Sequence, residues 1–149
     1  IPKQALALAW KYWPGPLTMI FNKTECVPCE TTGGLSTVAV RMPSNKIARA
    51  LIEASGGYVA APSANRSGRP SPTLAKYVAE DLDGRVDMII DGGAAKIGLE
   101  STIVDFTEEN PVILRPGYIT EEMIRQATGC PAGRKTVPGR GRRGRNGGA

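Results

Sequence analysis

The alternation of apolar and polar positions divides the chain into short elements. Ala5, Leu6, Leu8, Ala9 and Tyr12 recur at helical spacing, and Pro2 suits a first turn, so residues 2–12 are expected to form a helix that Trp13-Pro14-Gly15-Pro16 ends. Leu17 to Phe21 reads as a strand, followed by a polar loop over 22–35. Ser36 to Arg41 is β-rich and alternating and predicts a second strand, closed by Met42-Pro43. Ile47, Leu51 and Ile52 mark a helix over about 45–55, which Gly56-Gly57 stops. Tyr58 to Ala61 and Val86 to Ile90 are short apolar runs bounded by turn residues, and both are expected to be strands. Between them, Leu74, Tyr77, Val78 and Leu82 share one face of a helix over 72–82, with Ser71 as its cap and Pro72 at its first position. Thr102 to Phe106 and Val112 to Arg115 complete the strands, and Thr120 caps a last helix that runs to about 128 before Gly129. Interspersed helices and strands predict an α/β domain, α+β-like in its short connections, with a twisted mixed sheet.

Composition fits that picture, with 41% hydrophobic residues in 149, enough for one domain. No apolar run approaches the roughly 18 residues of a spanning helix, and no secretory leader is visible, so a cytoplasmic protein is the expectation. The net charge of +5 is a property of the tail. Arg134, Lys135, Arg140, Arg142, Arg143 and Arg145 lie in an acid-free run over 131–149; setting these six aside leaves 13 cations against 14 acids. That Gly/Arg-rich segment has little to bury and is expected to be disordered, which places the domain at 1–130. Histidine is absent, which excludes a Ser-His-Asp triad and the commonest metal ligand. Cys26-Val-Pro-Cys29 has redox or zinc-knuckle spacing without a second pair, and is read first as a turn before the next strand.

Candidate chemistry centres on Tyr58 to Ser71, where a strand end, three serines, Asn65, Arg66 and Arg69 lead to a helix start. Such a junction suits a phosphate or carboxylate. Thr37 and Arg41 share one face of their strand because their offset is even. Asp91 and Asp105 are weaker candidates for a water-mediated Mg²⁺ contact.

KYWPGPLT at 11–18, STVAVRMP at 36–43, APSANRSGRPSPT at 61–73, GLESTIVDF at 98–106 and ILRPG at 113–117 together resemble the threonylcarbamoyl-AMP synthase (YrdC-like) family over about residues 3–128. The resemblance implies a single YrdC-like domain with a concave electropositive site. It implies an enzyme that joins L-threonine, bicarbonate and ATP, with Mg²⁺, into threonylcarbamoyl-adenylate and pyrophosphate. Partner proteins then transfer the group to tRNA. It further implies Arg41, Ala61 and Ser101 at threonine; Thr37, Ser63, Ser71 and Arg115 at ATP; and Ser63 with Asn65 as the pair at the reacting phosphates. The family's Lys-x-Arg motif upstream of PGPLT is not in this chain, which opens at Ile1 almost directly in a helix. A partial domain with weak binding and poor turnover is the expectation. Two other readings stay open. One is a carbamoyl-adenylate-forming domain of the hydrogenase-maturation type. The other is a non-catalytic module that contacts tRNA or double-stranded RNA through the basic tail.

Overall fold

Strand β1 (Leu17–Asn22) lies between β2 (Thr37–Arg41), its antiparallel hairpin partner, and β3 (Thr102–Asp105), which runs parallel to it. β4 (Val112–Arg115) pairs antiparallel with β3, and β5 (Gly133–Arg134) adds a short parallel edge, giving the order β2-β1-β3-β4-β5. The computed structural model describes residues 1–95 and 101–134.

Alternation along the strands decides which face is covered. Leu17 and Met19 of β1, Val104 of β3 and Ile113 of β4 are buried on one face, with Phe106 just beyond β3. Helix α1 (Lys3–Tyr12) contributes Ala5 and Leu8, and helix α4 (Glu121–Thr128) contributes Ile124, to the same core. The two helices pack against each other, and Tyr12 donates its hydroxyl to the Met123 carbonyl at 3.1 Å. Intervening positions such as Thr18 and Ile103 therefore point to the other face, and a register shift between Ile103 and Val104 sets Arg115, two residues on from Ile113, opposite Ile103.

The ends of α4 follow local chemistry. The Thr120 hydroxyl accepts from the Met123 N–H at 3.2 Å, two acids occupy the first turn, and Gly129 terminates the helix at φ +71°. Helix α2 (Lys46–Ala54) is capped by Asn45, whose Oδ1 accepts from Ile47 and Ala48 N–H groups.

The structure differs from the expected one between residues 56 and 95. Helix α3 runs Ala75–Leu82, so Ser71 does not cap it and Pro72 is not its first residue. The Thr73 carbonyl accepts from the Ala95 N–H at 2.9 Å, which anchors that stretch outside the helix, and extended Leu74 provides no side-chain cap. Residues 58–61 and 86–90 form no strand. Their β-rich composition finds no neighbouring ladder among the described residues, and an unpaired strand leaves its backbone groups to solvent. Tyr58, Met88 and Ile90 are accordingly exposed, as are Ile47 and Leu51 on α2, which has no buried residue. β5 lies inside the segment expected to be tail: Ala132 is buried beside it, and Arg134 pairs with Glu121 at 2.9 Å. The remainder of that segment lies outside the described residues.

Candidate functional site: a guanidinium pair on the open sheet face

The register of the sheet lays a line of residues across four strands. Arg41 of β2 faces Thr18 of β1, Thr18 faces Ile103 of β3, and Ile103 faces Arg115 of β4. Cross-strand partners share a face, and Ser101, two residues before Ile103, joins it. The side chains meet accordingly. Arg115 Nη2 donates to the Ser101 hydroxyl at 2.9 Å and to its carbonyl at 2.8 Å, while Nε donates to the same carbonyl at 3.1 Å. The Ser101 and Thr18 hydroxyls are 3.3 Å apart.

Arg41 approaches from the other end of the line. Its Nε donates to the Gly15 carbonyl at 3.2 Å, and the Gly15 N–H donates to the Met42 carbonyl at 2.9 Å. Gly15 thus holds residues 41 and 42 from both sides. A Cβ at that position would collide with the Tyr12 carbonyl oxygen, so the helix-to-strand connection needs glycine there. The Arg41 pKa is lowered from its usual value, first by loss of hydration and then by the nearby Arg115 charge. Arg41 and Arg115 thus lie on one sheet face, a placement that suits anionic ligands. Paired guanidinium forks match a carboxylate or a phosphate.

Of the residues read from sequence, the structure brings Arg41, Ser101 and Arg115 together, with Thr37 at the opposite end of β2 on the Arg41 face. Ala39 between them is small and exposed, so the strip along β2 is open. Ala61, Ser63 and Ser71 are exposed in the segment before α3. Among the described residues, none of these three bonds to the guanidinium pair. Asn65 turns inward on its own loop: its Nδ2 donates to the carbonyls of Arg66 and Arg69, and its Oδ1 is buried without a hydrogen-bond partner among the described residues. Arg69 is tied to Asp81 at 2.6 Å. A cavity of about 430 Å³ lies between this segment and α3, lined by residues including Arg69, Ser71, Tyr77, Glu80 and Asp81; neither Arg41 nor Arg115 borders it. With two carboxylates in its wall it is poorly suited to phosphate.

Asp91 and Asp105 each spend a carboxylate oxygen on a local turn, accepting from Gly93 and Thr107 N–H groups at 2.8 Å. No cluster of three or more His, Cys, Asp or Glu capable of holding a metal occurs among the described residues.

Two contributors escaped the sequence reading. Thr18 lies within a recognised motif, but its partner is 83 residues away. Asp81 fastens the 65–69 loop by accepting from Arg66 N–H and Arg69 Nη1. Its signal was present: with Leu74, Tyr77 and Val78 it completes an i, i+3, i+4, i+7 stripe, where an acid calls for a buried partner.

The architecture is that of an α/β domain in which α1 and α4 cover one sheet face while Arg41, Ser101 and Arg115 lie on the other. Residues 1–117 match the Sua5/YciO/YrdC family model, described as telomere recombination, and the chain belongs to that family. It is 56% identical to threonylcarbamoyl-AMP synthase of Pyrococcus abyssi over 87% of this chain and 38% of the relative. It is 50% identical to the Bacillus subtilis protein of the same name over 86% of this chain and 37% of the relative. The chain therefore spans well under half the length of these curated relatives. The crystal structure of P. abyssi Sua5 complexed with L-threonine superposes with a TM-score of 0.85 at 53% identity, covering 91% of this chain and 39% of that one. Escherichia coli YciO superposes at 0.70 with 31% identity over 79% of this chain and 58% of that one. No helix among the described residues is long and apolar enough to cross a membrane.

Proposed function

We propose that this chain supplies the threonine-carboxylate and nucleotide contacts of an L-threonylcarbamoyladenylate synthase acting in tRNA threonylcarbamoyladenosine formation. The observation that carries the reading is the alignment of Arg41 and Arg115 with Thr18 and Ser101 on the sheet face opposite α1 and α4. The names of the relatives, and the L-threonine in the P. abyssi neighbour, support the substrate.

In this reading Arg41 forks the threonine carboxylate, with Ser101 and the Ala61 backbone beside it. Arg115 and Thr37 meet the nucleotide. Ser63 and Ser71 offer hydroxyl donors to the phosphates from the segment before α3, with Asn65 beside them shaping that loop through the bonds of its Nδ2. The threonine amine combines with CO₂ derived from bicarbonate. The resulting carbamate oxygen attacks the α-phosphorus of ATP, and pyrophosphate departs. The chain has no histidine and needs none, because the work is orientation and charge stabilisation. Mg²⁺ travels with the triphosphate and water in this scheme, since the described carboxylates are not arranged as a cage for it. Cytoplasmic location and hand-over to tRNA-modifying partners complete the proposal.

The test is calorimetric titration of the full-length gene product with L-threonine, ATP and both, beside Arg41→Met. Charge-assisted pairing is worth roughly 1.5–3 kcal/mol, so the variant is expected to bind threonine roughly 10–150-fold more weakly. Threonine affinity unchanged in the variant would remove the assignment.

A further inference from the structure

The loop between β1 and β2 carries chemistry that the sheet face does not use. Cys26 and Cys29 are both exposed and unpaired in it. A hydrogen-bonded turn over Thr24–Val27 leads into Pro28, and the Cys29 carbonyl accepts from Thr32 and Gly34 N–H groups at 3.2 and 2.8 Å. The Lys23 ammonium reaches into this turn. Its Nζ donates to the Val27 carbonyl at 3.2 Å and to Cys29 Sγ at 3.1 Å, so one cation ties together the second half of the Cys-Val-Pro-Cys segment.

We infer that Cys26 and Cys29 form a redox-reactive dithiol, a modification site whose reactant is a small-molecule disulfide of the glutathione type. The Lys23 cation is the observation that separates this from metal binding. An ammonium against one sulfur opposes a second cation there, and two sulfurs fall short of a tetrahedral zinc set. The same ammonium lies against Cys29 Sγ, the sulfur that carries the negative charge when the thiolate begins its attack. Cys29 thiolate attacks one sulfur of the disulfide, forming a mixed disulfide and releasing one thiolate. Cys26 thiolate then attacks Cys29 Sγ, closing the Cys26–Cys29 bond and expelling the second. The protein loses two protons and two electrons, and the reactant leaves as two thiols. Closure breaks the Lys23–Cys29 contact in a loop whose end, Ser36, accepts the Lys23 N–H at 2.9 Å immediately before Thr37.

The experiment equilibrates the full-length protein in glutathione redox buffers, quenches with an alkylating agent, and maps the cysteines by peptide mass spectrometry. Expected is one peptide carrying both residues, two hydrogens lighter and restored by dithiothreitol, with half-buried Cys130 reacting more slowly. Cys26→Ser is expected to trap glutathione on Cys29. Lys23→Gln is expected to slow exchange roughly 2–5-fold, the scale of one exposed charge contact. Separate glutathione adducts on Cys26 and Cys29 in the parent protein would overturn the inference. So would exchange in Lys23→Gln at the parental rate.

Discussion

Replacing Thr102 by valine tests how the site is held. Thr102 is fully buried, and its hydroxyl donates to the Ile119 carbonyl at 2.8 Å while accepting from the Ile119 N–H at 2.9 Å. This reciprocal pair fastens the connection after β4 to the first residue of β3, next to Ser101. Valine keeps the shape, so no cavity opens, but both Ile119 backbone groups lose their partner in a residue only 2% exposed. Each orphaned buried group costs about 1–3 kcal/mol, so the pair costs roughly 2–6 kcal/mol. That is a large share of the roughly 5–15 kcal/mol that holds a domain together. Thr102→Ser keeps the hydroxyl and gives up one methyl, worth about 1 kcal/mol. Urea denaturation followed by circular dichroism separates the cases. With a slope of about 2 kcal/mol per molar urea, valine is expected to move the midpoint by roughly 1–3 M at unchanged slope, and serine much less. A valine variant within about 0.5 kcal/mol of the parent, or a serine variant less stable than valine, would refute the reasoning.

Gly15→Ala is expected to displace Arg41, because the added carbon meets the Tyr12 carbonyl; loss of threonine binding exceeding the loss of stability is the signature, and parental binding would contradict it. Asp81→Asn weakens the tie to Arg69 and the acceptor for Arg66 N–H; faster amide exchange confined to 65–70 is expected, and unchanged exchange would count against the anchoring role. The Glu122 pKa is lowered, first by its hydrogen bond from Arg125 and then by Gln126. Its contribution to α4 is therefore complete above the ordinary glutamate range near about 4.3 and fades as pH falls through the lower folded value. An NMR titration of the Glu122 carboxylate is expected to show that depressed midpoint, and a rise toward the ordinary range in Arg125→Ala, where the Gln126 bond remains.

Local signals carried far in this sequence, and they stopped where distant partners took over. Helix α4 was legible at both ends because Thr120 and Gly129 act within one turn of the helix they bound. The β-rich runs at 36–41 and 112–115 located β2 and β4 to within a residue. Ser71-Pro72 carried an equally good helix-start signature, yet a bond from Ala95 to Thr73 moved the start to Ala75. Tyr58–Ala61 and Val86–Ile90 had strand composition, but a strand is defined by its neighbour, which composition does not reveal. At the site, Arg41 and Arg115 were recognisable from their motifs. Their closeness depends on β1 and β3 lying side by side, a pairing no short window contains.

The parallel pairing of β1 with β3 also sets an order of events. The β1–β2 hairpin closes a short loop, whereas Leu17 finds Thr102 only after some eighty intervening residues have been gathered in. The entropy of such closure delays non-local strands relative to local ones. A chain caught midway holds Arg41 on its hairpin with Arg115 still remote. A ligand set that engages Arg41 and Arg115 together thus reports that β3 and β4 have docked on the hairpin, and such ligands present during refolding act on a late step rather than the first.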